Sequence, residues 1–432
     1  MHCKSCITSA GAGHTVCLIS DAGYVTPERK ITTLYTWGLG EDGQLGHGGD
    51  EDLHIPKEID ALKNVQLATV CCGANHTIAA TAEPKRELYA WGWGDFGRLG
   101  QGDHGDRCIP SPVTALSGIS VRHVACGDSH CLVVASDGKL FSFGRNQNGQ
   151  LGLGDTEDRL KPSLVETLWE DGILVRKSAG GAEHSAITVE GGTMYTFGWG
   201  RYGNLGHGHC RDLHVPTKVQ GLVGETITDP VCGWRHSAAL TSGGRLWTFG
   251  WSKYGQLGHG DNVDHWLPKI IPELEGGGIT SAAGGWRHMC ALAGSTGTLY
   301  SWGWNQFGQL GVGSTEDANS PQRVRVGSEN LAVRAVACGW RHTVAIAGED
   351  SDVFSWGRCT HGQLGHGDTV QRIFPTKVAA LNLLRQGLSV APDSDHVTTK
   401  RKLEENKDLE VPTTSNKKQL LGGDCTAVPD ST

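Results

Sequence analysis

Methionine is nearly absent from this 432-residue chain, with 3 residues, and Phe (8) and Tyr (7) are each outnumbered by Trp (14). That inverted balance excludes an ordinary aromatic core and points to indole used for more than packing. No apolar run approaches the ~20 residues that span a bilayer, and the N-terminus lacks the apolar stretch of a secretory signal. There is no basic excess either. Against 38 Lys and Arg stand 46 Asp and Glu, a formal charge of −8, which argues against a general binder of nucleic acid or anionic membrane. No pair of His has the close spacing and accompanying ligands of a zinc site. The expectation is an intracellular, soluble protein that contacts no membrane, does not bind DNA directly and holds no metal. The 14 Cys fall mostly at repeat positions such as Cys72, Cys126, Cys232 and Cys338, where other repeats carry Gly or Ala. They read as small buried thiols.

What is present is repetition. The 63 Gly recur at fixed places, which excludes a low-complexity reading. Seven Gly-x-x-His sites end in His14, His76, His130, His184, His236, His288 and His342, and after an early insertion they lie 52 or 54 residues apart. Each is followed by an aromatic-Gly pair, four residues and Gly-x-Leu-Gly, from Trp37 to Gly46, Trp91 to Gly100, Phe143 to Gly152, Phe197 to Gly206, Phe249 to Gly258, Trp302 to Gly311 and Trp356 to Gly365. Short apolar segments bounded by Gly turns separate the anchors, such as Thr343-Val344-Ala345-Ile346. A period near 50 residues with about four strands per unit specifies β-propeller blades. The fold class expected is all-β, a seven-bladed β-propeller over residues 1–385, with the N-terminal strand completing the seventh blade. Residues 386–432 hold no aromatic residue. They read as a flexible tail, disordered until something binds it.

The anchoring aromatics interchange Trp and Phe, so they read as packing. The seven His read as structural, each bonding backbone across a blade turn. Gly92 to Gly97 and Gly198 to Gly203 match G-x-G-x-x-G but open no helix in a βαβ unit, so they are not dinucleotide sites. Other columns do not behave as packing. Before each repeated His the chain reads Ala12-Gly13, Ala74-Asn75, Asp128-Ser129, Ala182-Glu183, Trp234-Arg235, Trp286-Arg287 and Trp340-Arg341. The fold tolerates Ala or Asp there, so three indoles beside three guanidiniums serve something other than folding. One residue past the aromatic-Gly pair stand Leu39, Trp93, Arg145, Trp199, Trp251, Trp304 and Arg358, a variation expected of a surface position. Two residues further on stand Glu41, Asp95, Gln147, Arg201, Lys253, Gln306 and Thr360. One face is therefore acidic in blades one and two, extended by Asp106 and Asp128, and basic in blades four and five, extended by Arg235, Arg287 and Arg341. Such a face suits a two-fold homodimer, each basic sector over its partner's acidic one. A merely solvated surface would leave many Trp exposed.

These residues resemble the ultraviolet-B photoreceptors of plants and algae, members of the regulator-of-chromosome-condensation repeat family. The likeness covers nearly all of residues 6–385 and rests on Tyr89 to Gly100, Gly144 to Asp158, Gly198 to Gly206, Gly250 to Asp261 and the three Gly-Trp-Arg-His sites. The resemblance implies that no prosthetic group is bound and that tryptophans are the chromophore. Trp286 and Trp234 would lead, Trp340 would be the third member, and Trp93 of the facing protomer would close the cluster. It implies ion pairs across a dark homodimer: Arg287 with Asp95 and Asp106, Arg145 with Glu183, and Arg341 and Arg358 with the Glu41 and Asp42 region. It implies a protein of cytoplasm and nucleus whose UV-B-released monomers engage the β-propeller domain of an E3 ubiquitin ligase. Val428-Pro429, better than Val411-Pro412, matches the family's tail motif for that contact. Propeller-type repressors that promote re-dimerisation would be further partners. Phe143 and Phe197 stand where the family often has Trp, and Met289 replaces the hydroxyl residue that follows the other two Gly-Trp-Arg-His sites, Ser237 and Thr343. Guanine-nucleotide exchange, or a light-independent scaffold, is the competing function, and neither accounts for the Trp column.

Overall fold

A computed structural model of the chain describes residues 5–21, 31–83 and 86–385. Within them run seven four-stranded antiparallel sheets, each made of four strands consecutive in sequence. Blade one is Ser5–Ala10, His14–Asp21, Ile31–Gly38 and Leu53–Glu58, and blade seven is Val333–Cys338, His342–Ala347, Asp352–Gly357 and Arg372–Lys377. The seventh blade thus completes itself, and the N-terminal strand belongs to blade one, which corrects the closure expected from sequence. Cys6 to Ala10 pair with Thr15 to Ile19 of the next strand, so the first repeat is whole and has no strand to lend.

Closure is achieved instead by bonds between neighbours. At each turn before the repeated His, one backbone N–H donates to the next blade's turn: Ala12 to the Ala74 carbonyl, Ala74 to Asp128, Asp128 to Gly181, Ala182 to Trp234, Trp234 to Gly285, Trp286 to Gly339, and Trp340 back to Gly11, at 2.9–3.4 Å. In blades two to seven the second strand is buried along its length, as His342–Ala347 illustrates, because blades cover it on both faces. The apolar cores are shared between neighbours. Val344, Val353, Val378 and Leu381 of the last blade and the short helix Ala379–Arg385 pack on Cys17, Ile19, Tyr35 and Trp37 of the first.

The aromatic anchors are packing, as expected, and carry more. Trp37, Trp91, Trp302 and Trp356 are wholly buried, and each indole N–H donates across a seam, to Gln363, Gln44, Gln256 and Gln309 carbonyls respectively, at 2.9–3.0 Å. Gly38 precedes the turn out of its strand at φ +105°, where a Cβ would lie 2.4 Å from the Gly13 carbonyl oxygen. Only Gly fits there.

The repeated His are structural, but their partners are side chains of the next blade rather than backbone. The Nε2 atoms of His14, His130, His184, His288 and His342 lie 2.8–3.0 Å from the hydroxyls of Thr77, Ser185, Ser237, Thr343 and Thr15. That of His76 lies 3.1 Å from the Cys131 thiol. Each hydroxyl donates its proton to a backbone carbonyl, as Ser237 does to Asn204 at 2.7 Å, so the imidazole N–H is the donor in the step before it. His236 breaks the series. Its counterpart is Met289, which offers no hydroxyl, and both ring nitrogens of His236 are buried without a partner.

Candidate functional site

One face of the ring is defined by a bond made seven times, from the loop after each third strand to the turn before the repeated His. The N–H groups of Leu39, Trp93, Arg145, Trp199, Trp251, Trp304 and Arg358 donate to the carbonyls of Gly13, Asn75, Ser129, Glu183, Arg235, Arg287 and Arg341 at 2.8–3.0 Å. Both variable columns of the sequence therefore share that face. A carboxylate holds the loop in six blades: Asp52, Asp106, Asp158, Asp212, Asp264 and Asp317 each accept a backbone N–H at 2.7–2.9 Å. Asp106 is thus a clamp on Gly94 as well as a member of the acidic sector.

On this scaffold the indoles of blades five, six and seven meet. Trp286 stacks on Trp340 at 5.7 Å between ring centroids and 17° between planes. Trp234 lies 5.3 Å from Trp286, tilted by 59°. A second row runs alongside, Trp199, Tyr202, Trp251, Tyr254, Trp304 and Phe307, with successive centroids 5.5–6.0 Å apart. It joins the first where Trp251 meets Trp234 at 5.7 Å and Trp304 meets Trp286 at 5.5 Å. Trp251, Trp286 and Trp304 are only 9%, 7% and 8% exposed, so the surface position expected for the second column is corrected at Trp251 and Trp304, which these indoles bury among themselves, while Leu39, Trp93, Arg145, Trp199 and Arg358 remain partly exposed. Tyr202, Tyr254 and Phe307 were missed. They occupy one slot, which reads Asp42, Phe96, Asn148, Tyr202, Tyr254, Phe307 and His361 around the ring, and its run of aromatics was legible.

Guanidiniums cover the array. The Arg235 and Arg287 carbons each lie 3.7 Å from the ring of the Trp before them, and Arg341 is 4.7 Å from Trp286. Arg287 also donates to the Tyr254 hydroxyl at 3.0 Å. Arg358 reaches Phe307. Partial burial pushes the pKa of Arg235, Arg287 and Arg358 downward, a cost that a nearby anion would offset. Among the described residues none of these four arginines has a carboxylate within 4.0 Å. Glu41, Asp95 and Asp106 of the acidic sector and Arg201 and Lys253 of the basic one are exposed. Asp42 is half-buried and accepts a bond from Asn75 at 2.7 Å.

One expected arrangement differs within one chain. Arg145 and Glu183 are already paired, 3.3 Å apart, so this pair does not need a second protomer. Trp93 stands away from the triad, in blade two, with the Arg98 guanidinium 3.9 Å over its ring. Asp128 lies at the mouth of the central channel, across from the triad, and its carboxylate accepts the Trp340 indole N–H at 3.4 Å. Burial pushes its pKa up to about 6 despite that bond. Val428 and Pro429, like Val411 and Pro412, lie outside the described residues.

No helix among the described residues is long and apolar enough to cross a membrane. Residues 8–291 match the RCC1-like domain, and 296–346 and 350–386 the Regulator of chromosome condensation (RCC1) repeat. The chain is 49% identical over 380 residues to Ultraviolet-B receptor UVR8 of Arabidopsis thaliana, covering 88% of this chain and 83% of that one. It is 30% identical to the RCC1 domain-containing protein RUG3, mitochondrial, of the same plant, covering 83% and 84%. It is 35% identical to human E3 ubiquitin-protein ligase HERC2, of which it spans 7%. Among solved structures, human WBSCR16 superposes with a TM-score of 0.70 at 24% identity over 80% of this chain and 93% of that one, a likeness of fold. Matched by repeat models from end to end of its propeller and nearly half identical to a full-length receptor, the chain belongs to the regulator of chromosome condensation (RCC1) repeat family, as a homologue of the ultraviolet-B receptor.

Proposed function

We propose that this protein is a UV-B photoreceptor whose own tryptophans are the chromophore. The observation that carries the reading is the environment of Trp286, stacked on Trp340, beside Trp234 and capped by Arg287 at 3.7 Å. Indole absorbs in the ultraviolet, rings this close share excitation, and a guanidinium against the ring responds to any shift of charge in it. No cofactor is needed. An enzyme's reactive constellation plays no part in this reading, and neither does nucleotide exchange, which has no use for a buried aromatic array.

In the dark the charged face is paired with a second copy. Arg287, Arg341, Arg235, Arg358, Arg201 and Lys253 meet Asp95, Asp106, Glu41, Asp42 and Asp128 across the two-fold, while Trp199, Trp251 and Trp304 back the basic side. Arg145 and Glu183 frame the contact, and Trp93 of the partner closes the Trp286 cluster. Excitation redistributes charge between indole and guanidinium, weakens the cation–π contacts of roughly 0.5–2 kcal/mol each and so loosens pairs that share the same arginines. Released monomers bind the β-propeller of an E3 ubiquitin ligase through Val428 and Pro429, in cytoplasm and nucleus. Propeller-type repressors return them to the dimer.

Size-exclusion of the purified chain with no cofactor added, before and after UV-B, tests this. We expect dimer in the dark and monomer after irradiation. Trp286→Phe should remain dimeric under the same dose, because phenylalanine does not absorb in that band. Normal monomerisation of Trp286→Phe would remove Trp286 as chromophore.

A further inference from the structure

The residue that ends each blade's first strand faces the residue after the repeated His. Most blades set a small group against a hydroxyl: Ala10 with Thr15, Cys72 with Thr77, Gly180 with Ser185, Cys232 with Ser237, Cys338 with Thr343. Blade three alone has thiols on both sides. Cys126 faces Cys131 with the sulfurs 4.0 Å apart, and the seam adds the imidazole of His76 from blade two, its Nε2 3.1 Å from the Cys131 sulfur. The three donor atoms lie within 4.8 Å of one another, and all three residues are buried. Cys126 also lines the central channel, a cavity of about 420 Å³, which supplies a route to the cluster.

The chemistry of the set is soft. Two thiols and a neutral imidazole suit a thiophilic ion, and metal–sulfur bonds of about 2.3 Å in a three-coordinate plane put the sulfurs roughly 4 Å apart. The observed sulfur separation needs almost no change. Arg98 is the odd residue of its column, where the other blades carry Gln or Asn. Its side chain is wholly buried, and its two terminal nitrogens have no hydrogen-bond partner. Its carbonyl accepts the Cys131 thiol at 3.3 Å. A buried, unpaired cation favours a neighbour of net charge −1. Two thiolates around a monovalent ion have that charge, whereas a divalent ion would leave the pocket positive.

We propose that Cys126, Cys131 and His76 form a three-coordinate site for monovalent copper. Binding replaces two S–H protons with the ion, releases both protons to solvent and involves no electron transfer. The bound ion ties the second blade to the third beneath the face that carries Trp93 and Asp95.

The test is an anaerobic titration of the fully reduced, full-length protein with Cu(I) held by the chelator bicinchoninate. We expect one ion per chain taken up in competition. Cys126→Ala with Cys131→Ser should lower the affinity about a hundredfold or more, while Cys232→Ala should leave it unchanged. The double variant carries residues that other blades carry at the same places, Ala10, Ser185 and Ser237, so its circular dichroism and oligomeric state should match the parent. Uptake by the double variant with unchanged stoichiometry and affinity would overturn the site, as would a parent protein that takes no copper from the chelator. An X-ray absorption spectrum of the bound ion showing only sulfur neighbours would remove His76 from it.

Discussion

At the scale of single residues the site is a set of cations resting on rings. Arg287 illustrates the leverage of one side chain: it caps Trp286 at 3.7 Å, lies within 5.6 Å of Trp234, Trp251 and Trp304, and bonds Tyr254. Arg287→Ala removes all of these and the charge facing a second copy, so it should be monomeric in the dark by light scattering at micromolar protein. Its absorbance spectrum should change little, because every indole remains. Asp128 makes a different prediction. Its folded pKa, raised by burial to about 6, exceeds the unfolded value of about 3.9, so the folded state holds the proton longer. The stability it contributes is full below about pH 4 and is lost as pH rises through about 6. Asp128→Asn cannot ionise and should flatten that part of the profile, so that in urea midpoints the variant gains on the parent between about pH 4 and 6 and holds a constant advantage above that. Parallel profiles for the two proteins would show that Asp128 does not titrate there.

Elements show why one repeat cannot be exchanged for another. The second strand of each blade presents a His to its neighbour, and the bond is worth about 1 kcal/mol where a hydroxyl receives it. His184→Leu loses that bond to Ser237. His236→Leu loses none, since Met289 leaves both nitrogens unpartnered in the parent, and it relieves a buried polar group of its desolvation. His184→Leu should therefore cost roughly 1–3 kcal/mol more than His236→Leu, read from chemical denaturation of both variants. Equal costs would mean that packing alone decides these positions. The unpartnered step lies between blades five and six, the two that carry Trp234 and Trp286. Met289 stood out in the sequence as a missing hydroxyl. Its consequence depends on which His faces it, and that is set by the neighbouring blade rather than by the residue's own repeat.

The described residues close into a ring of seven blades whose charges are sorted by sector. Glu41 and Asp95 lie in blades one and two and Arg201 and Lys253 in blades four and five, all exposed, so in the proposed dimer attraction would come from opposed sectors more than from any single pair. Exposed ion pairs contribute about 0.2–1 kcal/mol each and are screened by salt. Raising sodium chloride toward molar concentration should dissociate the dark dimer while circular dichroism stays unchanged. A dimer that survives molar salt would mean that apolar contact, not charge, holds the face.

The number of blades, the strand content, the anchoring role of Trp37, Trp91, Trp302 and Trp356 and the sorting of charge onto one face were determined by the sequence alone, because a repeated chain lets each position be compared with its equivalents. The Trp234, Trp286 and Trp340 column was legible for the same reason: a fold that accepts Ala12 or Asp128 in that place does not require indole. Comparison between repeats gives equivalence but not adjacency. Only the tertiary structure decided that blade one closes on itself, that Trp251 and Trp304 are buried, and that Arg145 meets Glu183 within one chain. It also decided that Arg98 is sealed in under Trp93 and that His76 meets Cys131. Each of those contacts joins positions of different kinds in neighbouring blades, and the distance between them is set by how closely the sheets pack around the axis, a quantity that no single repeat contains.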